Sequence, residues 1–218
     1  MTKAEAVDVI YLQVNGGKAS SDNNTKRDEI AVYFGTALGT AIKNSIFNTK
    51  SMANQDKAGG DVLFEKSLPE GYYTTFEGTP VSDTERMVSK IELPKLVALP
   101  YGWAIRSVRA KKNPSADYFR LPNPGFASVF ESAFAGSWSY WTEEESDSTT
   151  LFLNNVPAPI CPMLVSIMRD PSDLADTDTI DAPQDVINEA INATTNYYLG
   201  QVPASRRHDD KGTKEREA

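Results

Sequence analysis

Apolar residues recur every three or four positions in two long stretches of the chain, and in short β-prone runs between them. Ile30, Tyr33, Phe34, Ala37, Leu38, Ala41 and Ile42 share one helical face, which Ser45 and Ile46 extend. This spacing predicts a helix over roughly residues 25–47. Gly35 and Gly39 lie one turn apart within it, each costing about 1 kcal/mol relative to alanine. A close helix–helix approach, or an interface between copies, would compensate. Val186, Ile187, Ala190, Ile191, Thr194, Tyr197 and Tyr198 make a second stripe near the end of the chain. Pro183 suits the first turn of that helix, Asp181, Asp185 and Glu189 suit its positive end, and Gly200 is placed to end it in a left-handed conformation. A third helix opens the chain, with Thr2 and Glu5 spaced as a capping box and "NGG" at 15–17 as its stop.

From residue 61 the runs shorten. "VLFEK", "YYTTF", "RMVSKIEL", "WAIRSVR", "DYFRL", "WSYWTE", "TLFL" and "MLVSIM" are separated by Pro, Gly, Asn and Asp. They predict an antiparallel sheet or small barrel of about six to eight strands. The fold class expected is therefore α+β: N-terminal helices and a C-terminal helix packed together, with an inserted antiparallel β-rich domain. The divisions are 1–58 (helical), 59–170 (β-rich), 171–201 (acidic linker and helix) and 202–218 (a charged segment without periodicity, expected to be disordered alone).

Charge changes the picture in the last third. The net charge is −8, and residues 141–218 hold fifteen acids against six bases, so the deficit lies almost wholly there. Such a balance repels a phosphate backbone and argues against a nucleic-acid grip. No run approaches a membrane span, and the opening residues do not resemble a secretory signal. A single cysteine, Cys161, excludes an internal disulfide and is expected to pack as a small hydrophobe.

Candidate chemistry is sparse. His208 is the only histidine and falls in the aperiodic segment, which disfavours Ser–His and Cys–His nucleophilic pairs. There is no phosphate loop and no dinucleotide fingerprint. Asp170, Asp173, Asp176, Asp178 and Asp181 are spaced superficially like a calcium loop, without its sixth-position glycine or twelfth-position glutamate. Phe126, Phe130, Phe134, Trp138, Tyr140 and Trp141 suit either a core or a stacking platform for sugars. Arg106, Arg109, Lys111 and Lys112 suggest a basic hairpin tip. No catalytic residue, cofactor or metal is expected.

The order of segments resembles the head–tail connector (neck ring) proteins of tailed bacteriophages, most closely those of short-tailed phages of the crAss-like group. The stretches that carry the likeness are "TKRDEIAVYFGTALGTAI", "LVALPYGWAIRSVRAKK" and "DLADTDTIDAPQDVINEAINATTNYYLGQ". The resemblance implies a virion protein assembled in the host bacterial cytoplasm. It would form a homo-oligomeric ring of about twelve copies, bound to the portal protein and neighbouring ring proteins, with DNA passing its lumen unbound. Assembly contacts are then expected at Gly35, Gly39, Val186, Ile187, Ile191, Tyr197, Tyr198, Arg206 and Arg207, and a carboxylate-lined lumen at Asp173, Asp176, Asp178 and Asp181. The alternatives are a carbohydrate- or receptor-binding tail module built on the aromatic β region and, further off, a glycosidase-like hydrolase.

Overall fold

The computed structural model describes residues 1–16, 27–56, 68, 70–84, 86–99, 104–121, 138–145, 148–156 and 160–201. Helix α1 (Lys3–Val14) begins with the expected capping box: the Thr2 N–H donates to Glu5 Oε2 at 2.8 Å, and the Glu5 N–H donates to Thr2 Oγ1 at 3.2 Å. It stops at Asn15, and Gly16 takes the left-handed φ of +62°. Helix α2 (Arg27–Asp56) extends nine residues beyond the expected end at 47. Residues 48–56 contain neither proline nor glycine, so nothing in the backbone stops the helix where its apolar stripe runs out.

Helix α3 (Gln184–Gln201) corrects two expectations. Pro183 lies just before the helix rather than in its first turn, and its carbonyl accepts the Ile187 N–H. Gly200 stays within the last helical turn; Gly16 is the only glycine with positive φ among the described residues. Pro203, which cannot continue a helix with a normal hydrogen bond, is the stop signal nearest the observed end.

The three helices form one layer. Tyr33 near the start of α2 stacks on Tyr197 near the end of α3, so these helices run antiparallel. Gln13 near the end of α1 accepts a hydrogen bond from Thr195, so α1 runs parallel to α3. Ile10, Ile30, Phe34, Leu38, Ile42 and Ile46 are fully buried between them, with Val186, Ile187 and Ala190. Leu68, Tyr72, Val97, Leu99 and Met168 from the β-rich stretch complete this core. The acidic lead straps the layer together through its backbone. The Lys3 and Ala4 N–H groups, unpaired within α1, donate to the carbonyls of Asp178 and Asp176, and the Ile180 N–H donates to the Met1 carbonyl.

Among the described residues, nine strands lie between α2 and α3: β1 (Thr74–Gly78), β2 (Val81–Asp83), β3 (Val88–Pro94), β4 (Ile105–Ala110), β5 (Asn113–Asp117), β6 (Phe119–Arg120), β7 (Ser139–Glu144), β8 (Ser148–Asn154) and β9 (Met163–Ile167). They form two sheets, ordered β1-β9-β4-β5 and β2-β3-β8-β7-β6, antiparallel throughout except for the β6–β7 pair. The α+β class is thus observed, with two sheets facing one another where one sheet or a barrel was expected. Ile91, Leu93, Leu151 and Leu153 of one sheet meet Val108, Met163, Val165 and Ile167 of the other in a second core. Pro114 sits on edge strand β5, where its missing N–H breaks no ladder.

The aromatic run serves packing where it is described. Neighbouring residues Tyr140 and Trp141 face opposite sides of β7, yet each is only 4 % exposed. Trp141 stacks on Phe152 at 5.3 Å, and half-buried Trp138 stacks on Tyr118 at 5.6 Å. Tyr118, Tyr140, Trp141 and Phe152 are too enclosed to offer an open face to a sugar. Burial pushes the Tyr118 hydroxyl up to about 12, aided by nearby Cys161, which is itself buried. Phe126, Phe130, Phe134 and the run "VLFEK" lie outside the described residues.

Candidate functional site

The open end of the helical layer, where α2 begins and α3 finishes, carries the most distinctive surface. Ile30, Phe34 and Leu38 turn inward on α2, which leaves Val32, Thr36 and Thr40 facing solvent. The Thr36 and Thr40 hydroxyls donate to the carbonyls of Val32 and Thr36, at 3.3 and 3.0 Å. With those hydroxyls engaged by the helix itself, the stripe presents largely methyl groups. Val32 is 72 % exposed.

Beside that stripe stand three tyrosines. Tyr33 and Tyr197 stack at 4.1 Å with 14° between their planes, and Tyr198 stands edge-on to Tyr197 at 5.2 Å. The edge-on arrangement of Tyr198 suits the aromatic quadrupole. Tyr197 remains 42 % exposed, so much of its surface is open. Asp28 and Glu29 occupy the first turn of α2, where the helix dipole favours carboxylates, and complete a shallow groove of about 440 Å³. Burial raises the Tyr198 hydroxyl above its ordinary range, and the nearby Glu29 charge adds to the effect. The site therefore has a neutral aromatic floor with a negative rim. It suits a side chain that combines a cation with an apolar stem.

The structure redistributes the residues put forward for assembly. Tyr197 and Tyr198 are at this surface, and Tyr33, placed with the core stripe, joins them. Val186, Ile187 and Ile191 are 2 %, 2 % and 6 % exposed and are closed within this chain's own core, which corrects their place in an interface between copies. Among the described residues, the atoms nearest a side chain at Gly35 or Gly39 belong to a 3-10 turn and not to an α-helix. A Cβ on Gly35 would lie 3.2 Å from Ser172 Cα and 3.3 Å from the Pro171 carbonyl oxygen, while one on Gly39 would lie 3.8 Å from Pro171 Cδ. Their partner is a single 3-10 turn, Pro171–Asp173, capped by Asp170. Arg206, Arg207 and His208 lie outside the described residues.

The acidic lead is partly engaged within the chain. Asp178 accepts from Arg169 and from the Ala175 N–H, both at 3.3 Å. Asp173 and Asp176 are exposed. Asp181 is half-buried, and burial raises its pKa, with Arg169 opposing and Asp178 reinforcing the shift. The folded chain thus holds this proton more tightly than the unfolded chain does. Stability contributed by the neutral form is lost as pH rises through the carboxylate range. Asp181→Asn is expected to raise the urea midpoint at pH 7 and to match the parent below about pH 4. Equal midpoints at pH 7 would contradict this account of Asp181.

The expected basic hairpin is largely neutralised. Arg109 pairs with Asp117, Lys111 with Glu77 at 2.7 Å, and Arg106 with Glu70 at 3.7 Å; among the described residues Lys112 has no ion-pair partner. Among the described residues no cluster of His, Cys, Asp and Glu is arranged to hold a metal, and no helix is long and apolar enough to cross a membrane. Asp28, Glu29 and Val32 escaped sequence reasoning because only the antiparallel register of α2 and α3 brings them beside Tyr197. No model of a known protein family matches the chain, and no curated protein matches its sequence.

Proposed function

We propose that the chain is a structural, non-enzymatic virion protein of a tailed bacteriophage. It acts as a neck ring, a homo-oligomeric head-to-tail connector between portal and tail whose lumen conducts DNA. One observation carries this proposal: the helical layer closes its own core yet leaves an aromatic, acid-rimmed groove open beside the point where segment 202–218 departs. An exposed aromatic surface of this kind marks a binding site, and a subunit that must join neighbours needs one. The uneven charge agrees. Exposed Asp173 and Asp176, in a region of fifteen acids against six bases, repel phosphate and would leave passing DNA mobile. The resemblance of the segment order to that of neck ring proteins supports the same reading.

Negative-stain images of the purified protein test it. Class averages are expected to contain closed rings with a central channel. Scattered compact particles of monomer size, at every concentration and also in the presence of portal protein, would overturn the proposal.

A further inference from the structure

The groove between α2 and α3 combines two features that together specify an occupant. Its floor is apolar, built from Val32, Tyr33, Tyr197 and Tyr198, and its rim holds Asp28 and Glu29. Among the described residues neither carboxylate has an ion-pair partner, whereas neighbouring Asp8 is paired with Arg27. An occupant must therefore supply cations together with hydrocarbon.

We propose that the groove receives segment 202–218 of a second copy of this chain, with Arg206 and Arg207 laid against Tyr197 and held by Asp28 and Glu29. This rests on the ring proposal, since head-to-tail exchange gives every copy one groove filled and one segment delivered. Charge complementarity favours it. The first charges after α3 are these two arginines, and Val202 and Pro203 ahead of them offer apolar cover for Val32. Arginine is suited to the site because its planar guanidinium stacks on an aromatic face while donating to carboxylates.

Reach is sufficient. Arg206 is five residues beyond Gln201, about 17 Å when extended, so the grooves of adjacent copies need only adjoin the end of α3. The chain's own groove is the less favourable destination. Covering Tyr197, only four residues before Gln201, requires a reversal within 202–205, and Pro203 biases its predecessor toward extended conformations that carry the chain onward.

Charge exchange in the full-length chain, followed by sedimentation velocity over a concentration series, tests the pairing. Arg206→Glu/Arg207→Glu and Asp28→Lys/Glu29→Lys are each expected to weaken association by roughly tenfold or more. The four substitutions combined should restore it, an outcome that simple damage to α2 cannot produce. Circular dichroism verifies that each variant retains its helices. If the arginine variant forms rings as readily as the parent, or if the combined variant is no better than either pair, the groove assignment is overturned while the ring proposal stands. If the parent is monomeric throughout, the ring proposal fails, and a fluorescent peptide of residues 202–218 decides the pairing. Binding to the parent that is lost with Asp28→Lys/Glu29→Lys retains it; absence of binding overturns it.

Discussion

Ile187→Asp is expected to lose most of the chain's stability at neutral pH. Ile187 is 2 % exposed and sits on α3 within the helical core, surrounded by apolar side chains from α1 and α2. Burying an unpaired carboxylate there costs several kcal/mol, against a typical total stability of about 5–15 kcal/mol. The aspartate would escape by protonation or by unfolding, so partial recovery is expected as pH falls. Far-UV circular dichroism and a urea titration read the effect. Asn192→Asp, on the exposed side of the same helix, should shift stability by no more than about 0.5 kcal/mol. The comparison discriminates between two uses of the α3 stripe. A folded Ile187→Asp monomer that fails only to assemble would return the stripe to an interface between copies.

Gly35→Leu is expected to lower stability by about 1–2 kcal/mol net, the overpacking cost less the roughly 1 kcal/mol gained by removing a mid-helix glycine. The atoms that a side chain would meet are Ser172 Cα and the Pro171 carbonyl, which belong to backbone and cannot rotate away. Gly39→Ala should behave oppositely. Its Cβ would come no nearer than 3.8 Å to Pro171 Cδ, an ordinary contact, so the helix gains up to about 1 kcal/mol. Opposite shifts of the urea midpoint are the expected signature. A Gly35→Leu variant as stable as the parent would mean that the 3-10 turn does not press on α2.

These two glycines mark how far sequence reasoning reaches. Their cost within a helix was legible because propensity is local, but the compensating partner lies across the fold, in a turn that no spacing rule connects to α2. Locality also explains the successes. Thr2 and Glu5 cap α1, and Asn15 with Gly16 ends it, because each signal acts over only a few residues. The end of α2 carries no such signal, since the apolar stripe stops before the helix does and residues 48–56 bear no helix breaker. Gly200 misled for the converse reason, since glycine permits a left-handed stop without compelling one.

The same division applies to the candidate site. Tyr197 and Tyr198 belong to an amphipathic stripe in the sequence, but the stripe divides. Its first half seals the core, and only its last turn, where α2 begins, remains open. Asp28, Glu29 and Val32 are unremarkable in the sequence and become a rim and floor only through antiparallel packing against α3. The acidic lead looked like a charged spacer, yet the carbonyls of Asp176 and Asp178 satisfy the start of α1. Backbone service of this kind leaves no mark on side-chain identity.

The central claim is that copies of this chain close into a ring. Native mass spectrometry of the full-length protein at rising concentration measures this directly. The account predicts a discrete closed species of about twelve times the 23.9 kDa chain mass, with few species between it and the monomer. A single 23.9 kDa species up to the solubility limit, or an open ladder of oligomers with no preferred size, would contradict it.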